Sequence, residues 1–471
     1  MLPLSPAKQP FTSRILWAIL GVVIIADMLD LLDSTITYIA APTIIKDLGG
    51  GDALVKWLGA SYSLAMGVLL VVGGRLGDKY GQRRLFLIGI AGFTLASAAC
   101  GLSINPTMLI GARLFQGAFG ALLIPQGIAI VTKTFPPELL GKAFSTFGPV
   151  LGISTVLGPI LAGFLIHANI AGLGWRPMFL INIVLGGGGF LAALWLFPGD
   201  TGHQEVILDA QGSVLLAGTM FGLMYGLIEG STYGWTLLPI FLLITGLVLF
   251  VLFGRHQQTA RNPLIEPSLF QNRGFTSGLL LGLAFFSAVS GLSYVISLFL
   301  QVGLHFTSAG AALGLAPLAV GISVASLASV RLIARLGRPL IFGGLLMTLL
   351  GTAWLLLLVL LSRGHPEIWT MGSALLVMGF GMGSCFGTLF DVALGEISPQ
   401  EAGSASGSLS AVQQLAAALG SAMMTTVYFQ LVGAGDQTGA MAVSLLVVIA
   451  ITLLCCGLVW LLPAHAHIPQ D

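Results

Sequence analysis

Three aspartates, Asp27, Asp30 and Asp33, stand three residues apart inside the first long apolar run of a 471-residue chain. On a helix that spacing keeps them within an arc of about 120° over about 9 Å of rise. A carboxyl inside hydrocarbon costs at least about 2–3 kcal/mol, so it faces a bundle interior or a wet cavity. A late start of the run would leave Asp27 at an interface, but too few apolar residues would then remain before Pro42 to cross a bilayer. Acids this close exchange protons as a coupled set. One base answers them: Arg113 lies well inside an apolar run, in a span of opposite direction that sets it at a depth comparable with Asp33. The two can pair. Either the arginine only neutralises the acid and fixes packing, or the pair takes part in moving charge. Three acids against one base make a cavity that attracts cations.

The elements that hold these residues follow from composition. With 56% hydrophobic and 8% charged residues, the chain has too little polar surface for a soluble globule of its length, and it reads as a polytopic membrane protein. A formal net charge of +1 excludes the basic field that a nucleic-acid binder needs. The 64 glycines suit close helix packing in lipid. Cys100, Cys385, Cys455 and Cys456 lie in apolar runs without metal-ligand or redox spacing, and buried thiols are expected. The apolar run after Lys8 and Arg14 is longer than a signal-peptide core and is expected to stay as the first helix.

Apolar runs between polar breaks predict fourteen spans, at about 15–40, 54–73, 85–104, 107–132, 143–167, 178–198, 211–230, 237–254, 275–300, 308–334, 340–362, 368–394, 403–430 and 439–462. Of the 19 Lys and Arg, fourteen then fall in one set of loops, four (Lys46, Lys56, Arg176 and Arg363) in the other, and Arg113 inside a span. By the positive-inside rule both termini are cytoplasmic. Trp57, Trp175, Trp235 and Trp369 come at the outer ends, where amphipathic rings belong. Glu229 and Asp391, near span ends, read as interfacial before they read as substrate ligands.

Gly74 to Arg84 is expected as the cytoplasmic turn between spans 2 and 3, and Arg331 to Arg338 repeats its Arg, Leu, base and Gly between spans 10 and 11. A displacement of eight spans fits two six-helix bundles, 1–198 and 275–471, around an inserted hairpin within 199–274. That hairpin is expected to be peripheral and to line no pathway. Span 5 carries Gly152, Gly158, Pro159 and Gly163, a pattern of bends and close approach.

These residues resemble the major facilitator superfamily, and within it the fourteen-span drug:proton antiporters of the EmrB/QacA subfamily, over nearly the whole chain. Gly74 to Arg84 is similar to the superfamily's loop between spans 2 and 3, with Lys79 where Arg is more usual. Leu32 to Ile36 with Ala41-Pro42 resembles the subfamily's span 1 motif, and Arg113, Gln116 and Gly117 its span 4 motif. Trp175-Arg176, Phe179 to Asn182, Asn262 to Ile265 and Leu269-Phe270 look like further landmarks. The resemblance implies an all-α major facilitator fold and proton-driven efflux of amphipathic or cationic compounds. It places proton coupling on Asp33 and Arg113, and gating on Gly74, Asp78, Gly81, Arg83 and Arg84. It makes Gln116 line the substrate cavity and Gly152, Gly158, Pro159 and Gly163 a helix-kink motif; Asp27 and Asp30 lie outside the family's motif and are placed in that cavity by position alone. Ser154 and Ala162 stand where the antiporter motif usually has Gly, which leaves direction less secure than fold, and a proton symporter importing a nutrient is the alternative. Asp78 is expected to meet the start of span 13 near Gly403 and Ser404.

No nucleotide loop and no His/Glu metal cluster is present in the sequence, which disfavours a membrane enzyme or an ATP-driven pump. The expected partners are a small-molecule substrate, protons and the bilayer of the cell membrane, with no cofactor and no metal. A periplasmic adaptor is not readable from the sequence.

Overall fold

A computed structural model of the chain describes residues 12–136, 139, 143, 154, 158, 160–200, 202, 209–261, 263–265, 267–364, 366–394, 397, 402–432 and 436–463. Among these residues the regular structure is all helical. The long helices are α1 (Ser13–Leu48), α2 (Gly51–Tyr80), α3 (Gln82–Gly101) and α4 (Pro106–Thr134), then α5 (160–168), described in part, and α6 (Pro177–Leu196). They continue as α7 (Ala210–Tyr233), α8 (Leu237–Thr259), α9 (Arg273–Leu298) and α10 (Ser308–Leu336). The last four are α11 (Arg338–Leu361), α12 (Ile368–Leu394), α13 (Ala402–Val432) and α14 (Gln437–Leu458).

Twelve helices among the described residues are long and apolar enough to cross a membrane. The apolar stretch described within α10, Leu313–Ser329, is shorter. Helices satisfy their own backbone polar groups, which hydrocarbon demands. Polar caps end the runs: the side chains of Asn105, Asp209, Asn272, Thr307 and Asp436 each accept the amide three residues on, at 2.7–3.1 Å.

Helix packing repeats along the chain. Helix α3 packs on α4 and α6 while α11 packs on α12 and α14, and α1 packs on α6 while α9 packs on α14. Across the middle, α2 lies against α13 and α1 touches α9 and α10.

Three expectations change. The expected turn from Gly74 to Arg84 is a single residue: α2 runs to Tyr80, Gly81 turns at φ 96°, and α3 starts at Gln82. Its repeat has the same form, with Gly337 at φ 52° between α10 and α11. Glycine takes these positive angles without the clash a Cβ brings. Helix α1 does not stop before Pro42 but continues to Leu48, because its far end is held by Trp175 and Arg176, whose side chains donate to Asp47 Oδ2 at 2.9 and 2.7 Å. Trp175 is accordingly 1% exposed and no interface anchor, whereas Trp235 and Trp369 are exposed. Cys100, Cys385 and Cys455 are buried free thiols, and Cys456 is half-buried.

Candidate functional site

Arg113 sits fully buried on α4 and gathers four helices. Its Nη1 donates to Asp33 Oδ2 of α1 and, at 2.8 Å, to Gln116 Oε1. Its Nε donates to the Leu58 carbonyl of α2 at 3.0 Å, and its guanidinium lies 4.5 Å from the centre of the Tyr62 ring. The network continues into α3 and α6. Gln116 Nε2 donates to Ser97 Oγ at 2.7 Å, and Asn182 Nδ2 donates to both Ser97 Oγ (2.7 Å) and Asp33 Oδ1 (3.2 Å). Asp33 is therefore held at both oxygens, and Asp33, Arg113 and Gln116 are all 0% exposed. Removing water strengthens such a pair only while every member stays partnered. Among the described residues, Arg113 Nη2 is a buried donor without an acceptor.

Two local features bring these groups together. A Cβ on Gly117 would lie 2.2 Å from the Tyr62 carbonyl oxygen, so glycine there lets α2 and α4 touch and puts the Leu58 carbonyl within reach of Arg113. Tyr62 in turn donates its hydroxyl to Asp30 Oδ1. Asp33 is thus countered by Arg113 and Asp30 by a phenol. Asp27, 8% exposed, has no hydrogen-bond or ion-pair partner among the described residues.

A second cluster closes the end of the molecule that holds Gly81. Gln82 donates its amide to Asp200 Oδ2 at 3.0 Å and its Nε2 to Asp78 Oδ1 at 3.2 Å, and accepts Lys133 Nζ at 2.7 Å. A Cβ on Gly81 would lie 2.7 Å from the Asp200 carbonyl oxygen. Arg83 Nη2 donates to the Leu194 carbonyl at the end of α6 (2.7 Å), as Arg338 Nη1 donates to the Leu462 carbonyl beyond α14 (3.1 Å). Arg75 Nη2 donates to the Pro263 and Leu264 carbonyls at 2.8 and 3.2 Å, which ties α2 to the segment after α8. Gly74 lies against Pro125, and Arg84 is exposed. The described partner of Asp78 is Gln82; Gly403 lies in the first turn of α13, and the Ser404 side chain lies outside the described residues. So do Gly152 and Pro159, while Gly158 and Gly163 are helical and buried.

The third feature is a small, partly open cleft of about 30 Å³ at the opposite end. Thr37 of α1, Gly59, Ala60 and Ser63 of α2, and Ile228 and Ser231 of α7 form one wall, and α9 and α13 the other. The expectation that the inserted hairpin is peripheral does not hold for α7, which packs on α2 and α13 and borders this cleft. Its glycines let it reach the centre: Gly222 packs on Gly246 of α8, freeing the other face for α2 and α13. Helix α8 is the peripheral member, with Leu237 and Phe241 87% and 64% exposed. Asp27, Asp30, Gln116, Glu229 and Asp391 do not line this cleft. Glu229 is half-buried and Asp391 exposed.

The sequence reading did not single out Ser97, Tyr62 or Asp200, and Asn182 entered it only as a landmark. Lone polar residues in apolar runs were the available signal, weak because serines and tyrosines are frequent in spans. Among the described residues no group of three His, Cys, Asp or Glu could hold a metal ion.

Comparison with known proteins agrees with this geometry. The pattern of the Major Facilitator Superfamily matches residues 23–421. A Streptomyces coelicolor protein described as a probable actinorhodin transporter is 41% identical over 91% of this chain and 75% of its own length. The tetracenomycin C resistance and export protein of Streptomyces glaucescens is 32% identical over 88% and 77%, and the puromycin resistance protein pur8 of Streptomyces alboniger 34% over 87% and 81%. Among solved structures, a POT family transporter bound to 5-aminolevulinic acid superposes with a TM-score of 0.69 at 16% identity, covering 95% of this chain and 97% of that one. The xylose transporter XylE from E. coli in a partially occluded inward open conformation gives 0.65 at 15%, covering 95% and 98%. With its helical fold, its signature turn at Gly81 and the family pattern over most of its length, the chain is a multi-pass membrane protein that belongs to the Major Facilitator Superfamily.

Proposed function

We propose that the protein is a proton-coupled exporter of amphipathic, antibiotic-like small molecules across the cell membrane, with both termini cytoplasmic and fourteen spans arranged as bundles 1–198 and 275–471 around the 199–274 insertion. The observation that carries this reading is the buried Asp33–Arg113 pair, one to two helical turns from a cleft between the two halves. A proton on Asp33 removes the charge that holds Arg113, so it loosens the bond from α4 through Arg113 to the Leu58 carbonyl on α2. Helix α2 borders the cleft, and its movement links protonation to substrate access. The Gly81 cluster latches the cytoplasmic end, Asp78 acting through Gln82 on Lys133. Relatives that confer resistance to puromycin or export tetracenomycin C support an outward direction. The reading is tested in inverted vesicles with an imposed pH gradient and a panel of such compounds. Accumulation that depends on an acidic lumen supports antiport; accumulation driven by the reverse gradient would show import by symport.

A further inference from the structure

The segment between α8 and α9 joins both halves of the molecule at the end that holds Gly81. Its Leu264, Ile265 and Leu269 are buried in one apolar cluster with Val71 of α2, Phe275 of α9 and Ala405 of α13. Its backbone is gripped from two directions. From α2, Arg75 Nη2 donates to the Pro263 and Leu264 carbonyls at 2.8 and 3.2 Å. From α8, Gln257 accepts the Ile265 amide at Oε1 (3.0 Å) and donates its Nε2 to Asp209 Oδ2 (3.2 Å). Asp209 is fixed in turn, since its Oδ1 accepts the Gly212 amide at 2.8 Å and lies 2.8 Å from His256 Nε2.

The two grips differ in kind. Gln257 is buried, so losing its bond to Ile265 strands polar groups away from water, the costly way to break a hydrogen bond. Arg75 is half-buried and bonds neutral carbonyls, so water can take over its charge when it lets go. Toward α9 the segment passes through the short helix Pro267–Gln271, where the Ser268 and Leu269 carbonyls accept the Asn272 amide. The segment therefore stays with the hairpin and α9, and the seam along which this end can part runs between the segment and α2.

We infer that residues 263–269 form a latch that holds this end shut during the transport cycle, with Arg75 as its catch and Gln257 as the positioning residue that presents it. The inference rests on the transporter reading above, in which the two ends open in turn. As this end opens, Arg75 exchanges the two carbonyls for water and Val71 leaves the apolar cluster, while Gln257 keeps the segment on α8. The inserted hairpin is then the mount of a gate and more than a spacer between two bundles.

The test is alkylation of single added cysteines by a charged thiol reagent in the purified full chain in nanodiscs, with rates taken over those of the chain without the added cysteine. Ala411→Cys, on α13 within the same buried cluster, reports on this end, and Ser63→Cys, in the small cleft, reports on the opposite end. Arg75→Gln should raise the rate at the first reporter about ten- to a hundredfold, the range expected for a hydrogen bond to a charged group, and should not raise it at the second. Arg75→Lys should stay within about threefold of wild type, because one nitrogen serves both carbonyls and an ammonium can replace it. Gln257→Leu should raise the rate at the first reporter at least about fivefold. Added to Arg75→Gln it should contribute less than about a further twofold, since both release one latch. An unchanged first reporter in either Arg75→Gln or Gln257→Leu, equal rises at both reporters, Arg75→Lys as reactive as Arg75→Gln, or full additivity of the two releasing variants would each overturn the inference. Because neither substrate nor gradient is used, this pattern in a chain that moves no compound in vesicles would refute the exporter reading and leave the latch standing.

Discussion

Asp33→Asn is the substitution whose consequences the structure fixes most narrowly. Asp33 accepts Arg113 at Oδ2 and Asn182 at Oδ1. An asparagine offers one oxygen and one amide, so whichever way it turns, one of those two donors meets another donor. Arg113 keeps the Leu58 carbonyl and Gln116 Oε1 but becomes a buried cation with no carboxylate bonded to it, Asp30 being held by Tyr62. Breaking a buried pair from one side costs about 3–5 kcal/mol, some two to three and a half powers of ten in a folding equilibrium. Removing both charges should return most of it, so Asp33→Asn with Arg113→Gln should lose about 2 kcal/mol or more less than the two single losses added together. Thermal unfolding in detergent reads stability, and pH-driven uptake into inverted vesicles reads coupling. We expect the double variant to recover stability and still fail to accumulate substrate against its gradient. If it recovers both, the pair is only structural and the coupling argument is wrong.

Asn182→Leu removes two hydrogen bonds from the same network without touching a charge, so it should lower stability by about 1–3 kcal/mol and slow pH-driven transport while leaving drug binding within about threefold; unfolding and binding curves read both. Gly117→Ala drives a Cβ toward the Tyr62 carbonyl and should destabilise by about 1–3 kcal/mol, whereas Gly111→Ala, which meets open space, should be neutral in the same unfolding assay. At the outer end of α1, hydrogen bonds from the Trp175 indole and then from Arg176 hold the Asp47 carboxyl below its ordinary value. A lowered carboxyl stabilises above its unfolded value, near pH 4, and loses that contribution as pH falls through the folded one. The stability difference between wild type and Asp47→Asn should therefore be constant from pH 7 to about 5 and shrink below pH 4; a difference that persists at pH 3 would contradict the assignment.

Helix existence and membrane class were legible because hydrocarbon thickness leaves a coarse signature of about 20 apolar residues per span. The three acids of α1 and Arg113 were legible for the same reason in reverse: charge in an apolar run is expensive, and depth along antiparallel spans already put Asp33 opposite Arg113. What the pattern could not carry was rotation and identity of neutral partners. Asn182 and Ser97 join Asp33 only because α3 and α6 turn those faces toward α1. Asp200 meets Gly81 only because the chain after α6 folds back beneath α2. The place of α7 was misjudged because an insertion outside a repeat was equated with one outside the core; its glycine contact with α8 and its seat against α2 and α13 are tertiary facts.

The central claim, that protonation at the Asp33–Arg113 pair drives substrate outward, is tested most directly by substrate accumulation in inverted vesicles holding the wild type or Asp33→Asn, with the lumen acidified and then with the gradient collapsed by a protonophore. The account predicts that wild-type vesicles concentrate substrate and release it on collapse, while Asp33→Asn vesicles only equilibrate. Concentrative uptake by Asp33→Asn at wild-type extent, or wild-type uptake indifferent to the protonophore, would contradict it.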